Sequence, residues 1–189
     1  MKTRVLLAIL NLGAFVGASA ATIVVNTADN TDFAPGKTNL VTAIRALADG
    51  DTILFNIPGA GPHYLVTPPM VTGPGGGGGY PEITKNNVTI DGYSQPGAVP
   101  NSNPILAANN AKLQIVLDSR GGGAHVWDIS GYGTGEAAAL AVSGNNVTIR
   151  GLCFLGVRGD GSDGNPARYG VALGNRGGTT STSAAAGLG

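Results

Sequence analysis

The sequence predicts an all-β protein, a right-handed parallel β-helix (a solenoid) with one α-helix near its N-terminus. Three observations predict it. The phrase NNVTIDG, Asn86 to Gly92, returns 59 residues later as NNVTIRG, Asn145 to Gly151. Apolar runs of a few residues alternate with corners of Gly, Asn, Asp and Ser, which accept the backbone angles of turns. In SGNNVTIRGLCFLG the corners are only a few residues long, too short for the crossovers of a doubly-wound sheet. No Asn-Gly or Asp-Gly pair separates these strands as a hairpin turn would. A chain that bends at each corner and returns above itself satisfies all three, each coil burying its inward side chains against its neighbours. An antiparallel β-sandwich is the competing fold.

The elements follow in order. Lys2 and Arg4, the apolar run Val5 to Val16 and the small-residue site Ala18-Ser19-Ala20 form the pattern of a secretory signal peptide over residues 1–20. The run is too short for a transmembrane span, so no membrane span is expected after cleavage. Residues 21–58 read as an N-terminal strand and a helical segment. ATIVVNT is the strand. In TNLVTAIRALADGD, Leu40, Val41, Ile44, Leu47 and Ala48 form one apolar face, giving a helix over Asn39 to Ala48. Thr38 or Asn39 caps its start and Gly50 its end. DTILFNI is the next strand.

Residues 59–176 read as coils, with loop excursions at 71–85 and 93–110. YLVTPP, VTI, LQIVLDS, HVWDIS, LAVS, VTI, LCFLG and YGVALG are the strands. Alternation points Val88, Ile90, Val147 and Ile149 into the coil and Thr89 and Thr148 out. The asparagines before each VTI take left-handed corners and stack amide on amide. The Asp91-to-Arg150 change reads as freedom at an unconstrained position. Residues 177–189 are of low complexity, and a continuation of the β-helix is expected beyond them.

Without residues 1–20 the chain has 169 residues, enough for one domain with its own core. Nine basic residues then stand against eleven acidic ones, a net charge of about −2 that argues against nucleic acid. Charged residues are 12% of the chain, about half the usual share. Cys153, the only cysteine, forms no internal disulfide and reads as a small buried hydrophobe.

The order of signal peptide, TIVVNTAD, TNLVTAI, GDTI, NNVTIDG and NNVTIRGL resembles secreted bacterial parallel β-helix proteins of the pectin-lyase-like kind with a C-S-L-R-E-A-I-type N-terminal cap. TNLVTAI, Thr38 to Ile44, shares Leu40, Ala43 and Ile44 with that cap and departs at its cysteine, arginine and glutamate. The resemblance implies a helix covering the open end of the coil stack. It also implies an exported or cell-surface module, often adhesin-like.

Such folds also carry polysaccharide lyases and glycosidases, which need paired carboxylates or a base on one face. The residues that could serve are Asp91, Asp118, His125, Asp128, Glu136 and Arg150, with Asp118, Asp128 and His125 the catalytic candidates. Asp and Asn at corners are equally what turns require. In GDGSDGN, Asp160 and Asp163 are the calcium candidates; the EF-hand template fails because Val171 stands where its glutamate belongs. The glycine run before Tyr80 lacks the Gly-Lys-Ser/Thr of a phosphate loop. Trp127, Tyr80, Tyr93, Tyr132 and Tyr169 are scattered aromatic surfaces. No cofactor beyond such calcium is expected. The expected role is structural or adhesive, with polysaccharide or cell-surface glycan as the partner. The alternative is a carbohydrate-active enzyme, either lyase or glycoside hydrolase.

Overall fold

The computed structural model describes residues 19–68, 80–120, 125–127, 136–156 and 169–173. Residues 1–18 of the signal-like segment, the glycine run, Asp128, Tyr132, Asp160, Asp163 and the tail lie outside them. In chain order the strands are β1 (Thr22–Val25), β2 (Thr52–Phe55), β3 (His63–Val66), β4 (Thr89–Asp91), β5 (Ile115–Asp118), β6 (His125–Trp127), β7 (Glu136–Val142), β8 (Thr148–Arg150), β9 (Leu152–Leu155) and β10 (Tyr169–Leu173). One short helix, α1 (Leu40–Arg45), lies between β1 and β2.

The strands form three sheets, ordered β1-β2-β4-β8, β3-β5-β9 and β10-β7-β6. After β2 the chain visits the second sheet at β3 and pairs with the third at Ile83, which bridges Val142 in parallel. It then returns to the first sheet at β4 and repeats the tour through β5 and β7, then through β8, β9 and β10. The pairings of the first two sheets are all parallel and in register, which excludes the antiparallel sandwich. One pairing departs from the expectation: β6 runs antiparallel to the start of β7, His125 facing Ala138.

The repeated phrase is longer in space than in sequence. The register aligns Thr22, Thr52, Thr89 and Thr148 in one column and Ile23, Ile53, Ile90 and Ile149 in the next. Strand side chains alternate, so one column enters the core and the other faces out. Ile53, Ile90 and Val88 are fully buried, Ile23, Val147 and Ile149 partly so, and Thr148 is exposed. Full burial of such a side chain contributes about 1.5–3 kcal/mol. The core collects Val25 and Phe55 from the first sheet, Leu65 and Leu117 from the second, and Leu140 and Val142 from the third.

The corners before these strands also stack. Asn87 and Asn146 have φ of 58° and 55°, left-handed as their residue type allows. Asn146 Nδ2 donates to Asn87 Oδ1 at 2.8 Å, and Asn145 Nδ2 to Asn86 Oδ1 at 3.0 Å. Toward β2 the backbone N–H of Asn86 donates to Asp49 Oδ1 at 2.9 Å. Gly50, with φ of 88°, therefore belongs to this corner column and not to the helix end. Asp51 takes the place of Val88; it is buried and its carboxylate accepts from the N–H groups of Ala21 and Ala48 at 2.7 and 2.8 Å.

The helix is shorter than its apolar pattern predicts. Asn39 caps it, with Oδ1 accepting from Thr42 N–H at 2.8 Å, and the chain leaves helical geometry after Ala46. Leu40, Val41, Ala43 and Ile44 are buried, and α1 lies against β1, the edge strand of its sheet. Leu47 stays in the core from outside the helix. The expected 71–85 excursion sends two side chains into the core. Tyr80 and Ile83 are buried, and Ile83 exchanges backbone bonds with Ala141 and Ser143. Cys153 is half-buried: β9 turns Leu152 and Phe154 to the core and leaves Cys153 in a column with Tyr64 and Val116.

Candidate functional site

The site is built on the outer face of β3. In His63-Tyr64-Leu65-Val66, Leu65 is fully buried, so alternation turns Tyr64 and Val66 outward, 50% and 54% exposed. The loop after β1 forms the opposite wall. Asp29 Oδ1 accepts from Thr31 N–H at 2.8 Å and Thr31 Oγ1 at 2.6 Å, an Asx turn that tips Asn30 inward. Asn30 Nδ2 then donates to Val66 O and to Tyr80 Oη, both at 2.8 Å. Tyr80 Oη donates in turn to Leu65 O at 3.1 Å. Burial pushes the Tyr80 hydroxyl well above its ordinary pKa, so it remains a donor.

Between the walls lies an open cleft of about 360 Å³. Tyr64, Val66 and Pro68 give it an apolar side, and Asp29, Thr31 and Thr67 a polar one. The hydrogen bonds from Thr31 hold the Asp29 carboxyl below its usual range, so it is an anionic acceptor at neutral pH. Asn30 Oδ1, on the same wall, is buried with no partner among the described residues.

Asp118 ends β5 beside Val66 and is 7% exposed. Arg120 clamps it: Nε donates to Oδ1 at 3.0 Å and Nη2 to Oδ2 at 2.7 Å, while the Arg120 backbone N–H donates to Oδ1 at 3.0 Å. That clamp lowers the Asp118 pKa and occupies both its oxygens. Arg150 is likewise engaged, Nη2 donating to Asp91 Oδ2 at 2.7 Å. The Asp91-to-Arg150 change is thus a matched pair, which corrects the expectation of an unconstrained position. Sequence reading treats the two as separate positions because 59 residues divide them.

His125 lies in β6 and Glu136 opposite Trp127 at the start of β7, in the third sheet, while Asp91 lies in the first and Asp118 in the second. Asp128, Asp160 and Asp163 fall outside the described residues. Among the described residues no three His, Cys, Asp or Glu side chains cluster as a metal site, and no helix is long and apolar enough to cross a membrane. Of the scattered aromatics, Tyr80 is core; Tyr64, overlooked as a strand residue, is a half-exposed ring on a sheet face, and Phe33 is exposed as well. The alternation of HYLV around Leu65 is the signal that marks it. Comparison with protein-family models, curated proteins and solved structures gives no match.

Proposed function

We propose that the chain is an exported or cell-surface module of right-handed parallel β-helix fold, with a structural and adhesive role, that contacts glycan through the Tyr64 cleft. The cyclic order in which the chain visits its three sheets supports the coil. On this reading α1 caps the stack at β1, where an uncovered strand edge would otherwise invite pairing. The observation that carries the binding role is the half-exposed Tyr64 ring facing the Asp29 turn across the cleft. A sugar offers an apolar face to an aromatic ring and hydroxyls to carboxylate and hydroxyl partners.

Binding is the first reading and a carbohydrate-active enzyme the alternative. A glycosidase general acid needs a raised pKa. Among the described residues the resolved carboxyl shifts, at Asp29, Asp49, Asp51 and Asp118, are all downward. Retention on a panel of immobilised polyuronides and neutral glycans tests the reading. We expect retention by at least one glycan, lost in Tyr64→Ala at unchanged melting temperature. Turnover of any panel member would replace binding by the enzyme reading.

A further inference from the structure

Ile105 and Leu106 are 99% and 98% exposed, side by side at the tip of the loop between β4 and β5. Hydrogen bonds brace the loop beneath this tip. At its base Val99 and Lys112 pair antiparallel through bonds of 3.0 and 2.8 Å. Above them Asn101 Oδ1 accepts from the N–H groups of Asn103 and Asn110, both at 3.2 Å. Asn110 Oδ1 accepts from Ser102 N–H at 2.9 Å. The turn closes with Ala107 N–H donating to Pro104 O at 2.9 Å and Asn103 Nδ2 to Ala108 O at 2.6 Å. A loop whose braces are this complete does not need two aliphatic side chains in water.

Two properties select the partner. Asn103 N–H, Pro104 O, Ala107 N–H and Ala108 O on either side of the tip are bonded within the loop, which lowers the cost of bringing that backbone close to hydrocarbon. From Gly92 to Ala111 there is no Asp, Glu, Lys, Arg or His, and charge is what a bilayer excludes. The first charge is Lys112 at the base, where a lysine can meet lipid phosphates while the tip lies deeper.

We propose that this finger inserts Ile105 and Leu106 into a lipid surface. Two side chains offer less hydrocarbon than one acyl chain, whose binding constant is about 10⁴ M⁻¹, so a single finger binds weakly and reversibly. The finger shares no residue with the Tyr64 cleft, so either assignment can fail alone.

The test places a probe on the tip, because the apolar segment Val5 to Val16 has its own affinity for lipid. The purified full chain carrying Leu106→Trp is titrated with phosphatidylcholine vesicles to millimolar lipid. We expect the tip emission, taken against the wild-type background of Trp127, to move to the blue. Lipids brominated in the acyl chain should quench it. Adding Ile105→Ser should weaken the titration by about tenfold or more. The proposal fails if the emission does not respond to vesicles or if Ile105→Ser leaves the titration unchanged. It fails equally if the shift needs only more protein and no lipid, which would put the tip against a second copy of the chain. The circular dichroism of each variant confirms that the fold is kept.

Discussion

Asp91 Oδ2 and Arg150 Nη2 lie 2.7 Å apart, and the two residues are direct neighbours in the register of β4 and β8. The one letter that differs between the two heptapeptides is therefore the letter by which the strands recognise each other. Like charges at this position would repel across adjacent strands, so the second copy could not repeat the aspartate without cost. Asp91 also accepts from Tyr93 N–H at 3.1 Å, which fixes the carboxylate for its partner.

A double-mutant cycle on Asp91→Asn and Arg150→Gln should give a coupling of about 0.5–1 kcal/mol, the upper part of the range for exposed pairs. The Asp91 side chain is only 13% exposed, but the Arg150 side chain is 58% exposed, which limits the gain. The coupling should shrink in molar salt. Additive urea midpoints at low salt would refute the pairing as a stabilising contact.

The asparagine corner separates two effects by substitution. Asn87→Gly keeps the left-handed backbone and loses only the bond from Asn146. Asn87→Ala loses both and should be the less stable variant by about 1–2 kcal/mol. Equal denaturation midpoints would show that the corner relaxes out of the left-handed region.

The isoleucine column should grade by depth. Ile90 is fully buried between Ile53 and Ile149, so Ile90→Ala should cost about 3–5 kcal/mol. Ile149 is only partly buried, and its truncation should cost clearly less. A reversed order in chemical denaturation would contradict the packing described above.

Acid should unfold the protein through its anchored carboxylates. The Arg120 guanidinium holds Asp118 low, and the amides of Ala21 and Ala48 hold Asp51 low. Each folded pKa lies below the unfolded value of 3.8. The stability they confer is thus complete above that value and is lost as pH falls through the folded values. The melting temperature should be flat down to about pH 5 and fall below about pH 4. Arg120→Gln should make the fall shallower; an unchanged slope would show that the clamp does not set the Asp118 pKa.

Gly92 allows the turn after β4 to approach the turn after β8. A Cβ there would overlap the carbonyl oxygen of Gly151, a backbone atom that cannot turn aside. Gly92→Ala should therefore destabilise by about 1–3 kcal/mol, as overpacking does. A neutral thermal melt would mean that the corner opens freely.

Much of the parallel-sheet pattern is legible from local sequence. Valine and isoleucine alternating with threonine, after paired asparagines, report both the inward face and the left-handed corner. The earlier turns of the same pattern are hidden because Gly50 stands for Asn87 and Asp51 for Val88. Their backbone roles match while their letters do not. The helix end is misread for the same reason, since one glycine suits two kinds of corner. The site is less legible than the fold. Asn30 meets Val66 and Tyr80 at separations of 36 and 50 residues, and no periodicity spans such a distance. Asp118 is the exception: its turn role is local, satisfied by Arg120 two residues on.

Gln95 adds a consequence of its own. Its side-chain amide accepts from Ile57 N–H at 2.8 Å and donates to Ile57 O at 2.9 Å, standing in for a peptide group where the chain leaves the parallel sheet. Pairing with the layer below is thereby finished before the finger begins. The residues beyond it form a cassette, seated at Gln95 and again at the Val99–Lys112 pair. The closure cost of such a loop grows only slowly with its length. A foreign loop spliced in above that pair should be carried without disturbing a single rung of the ladder beneath.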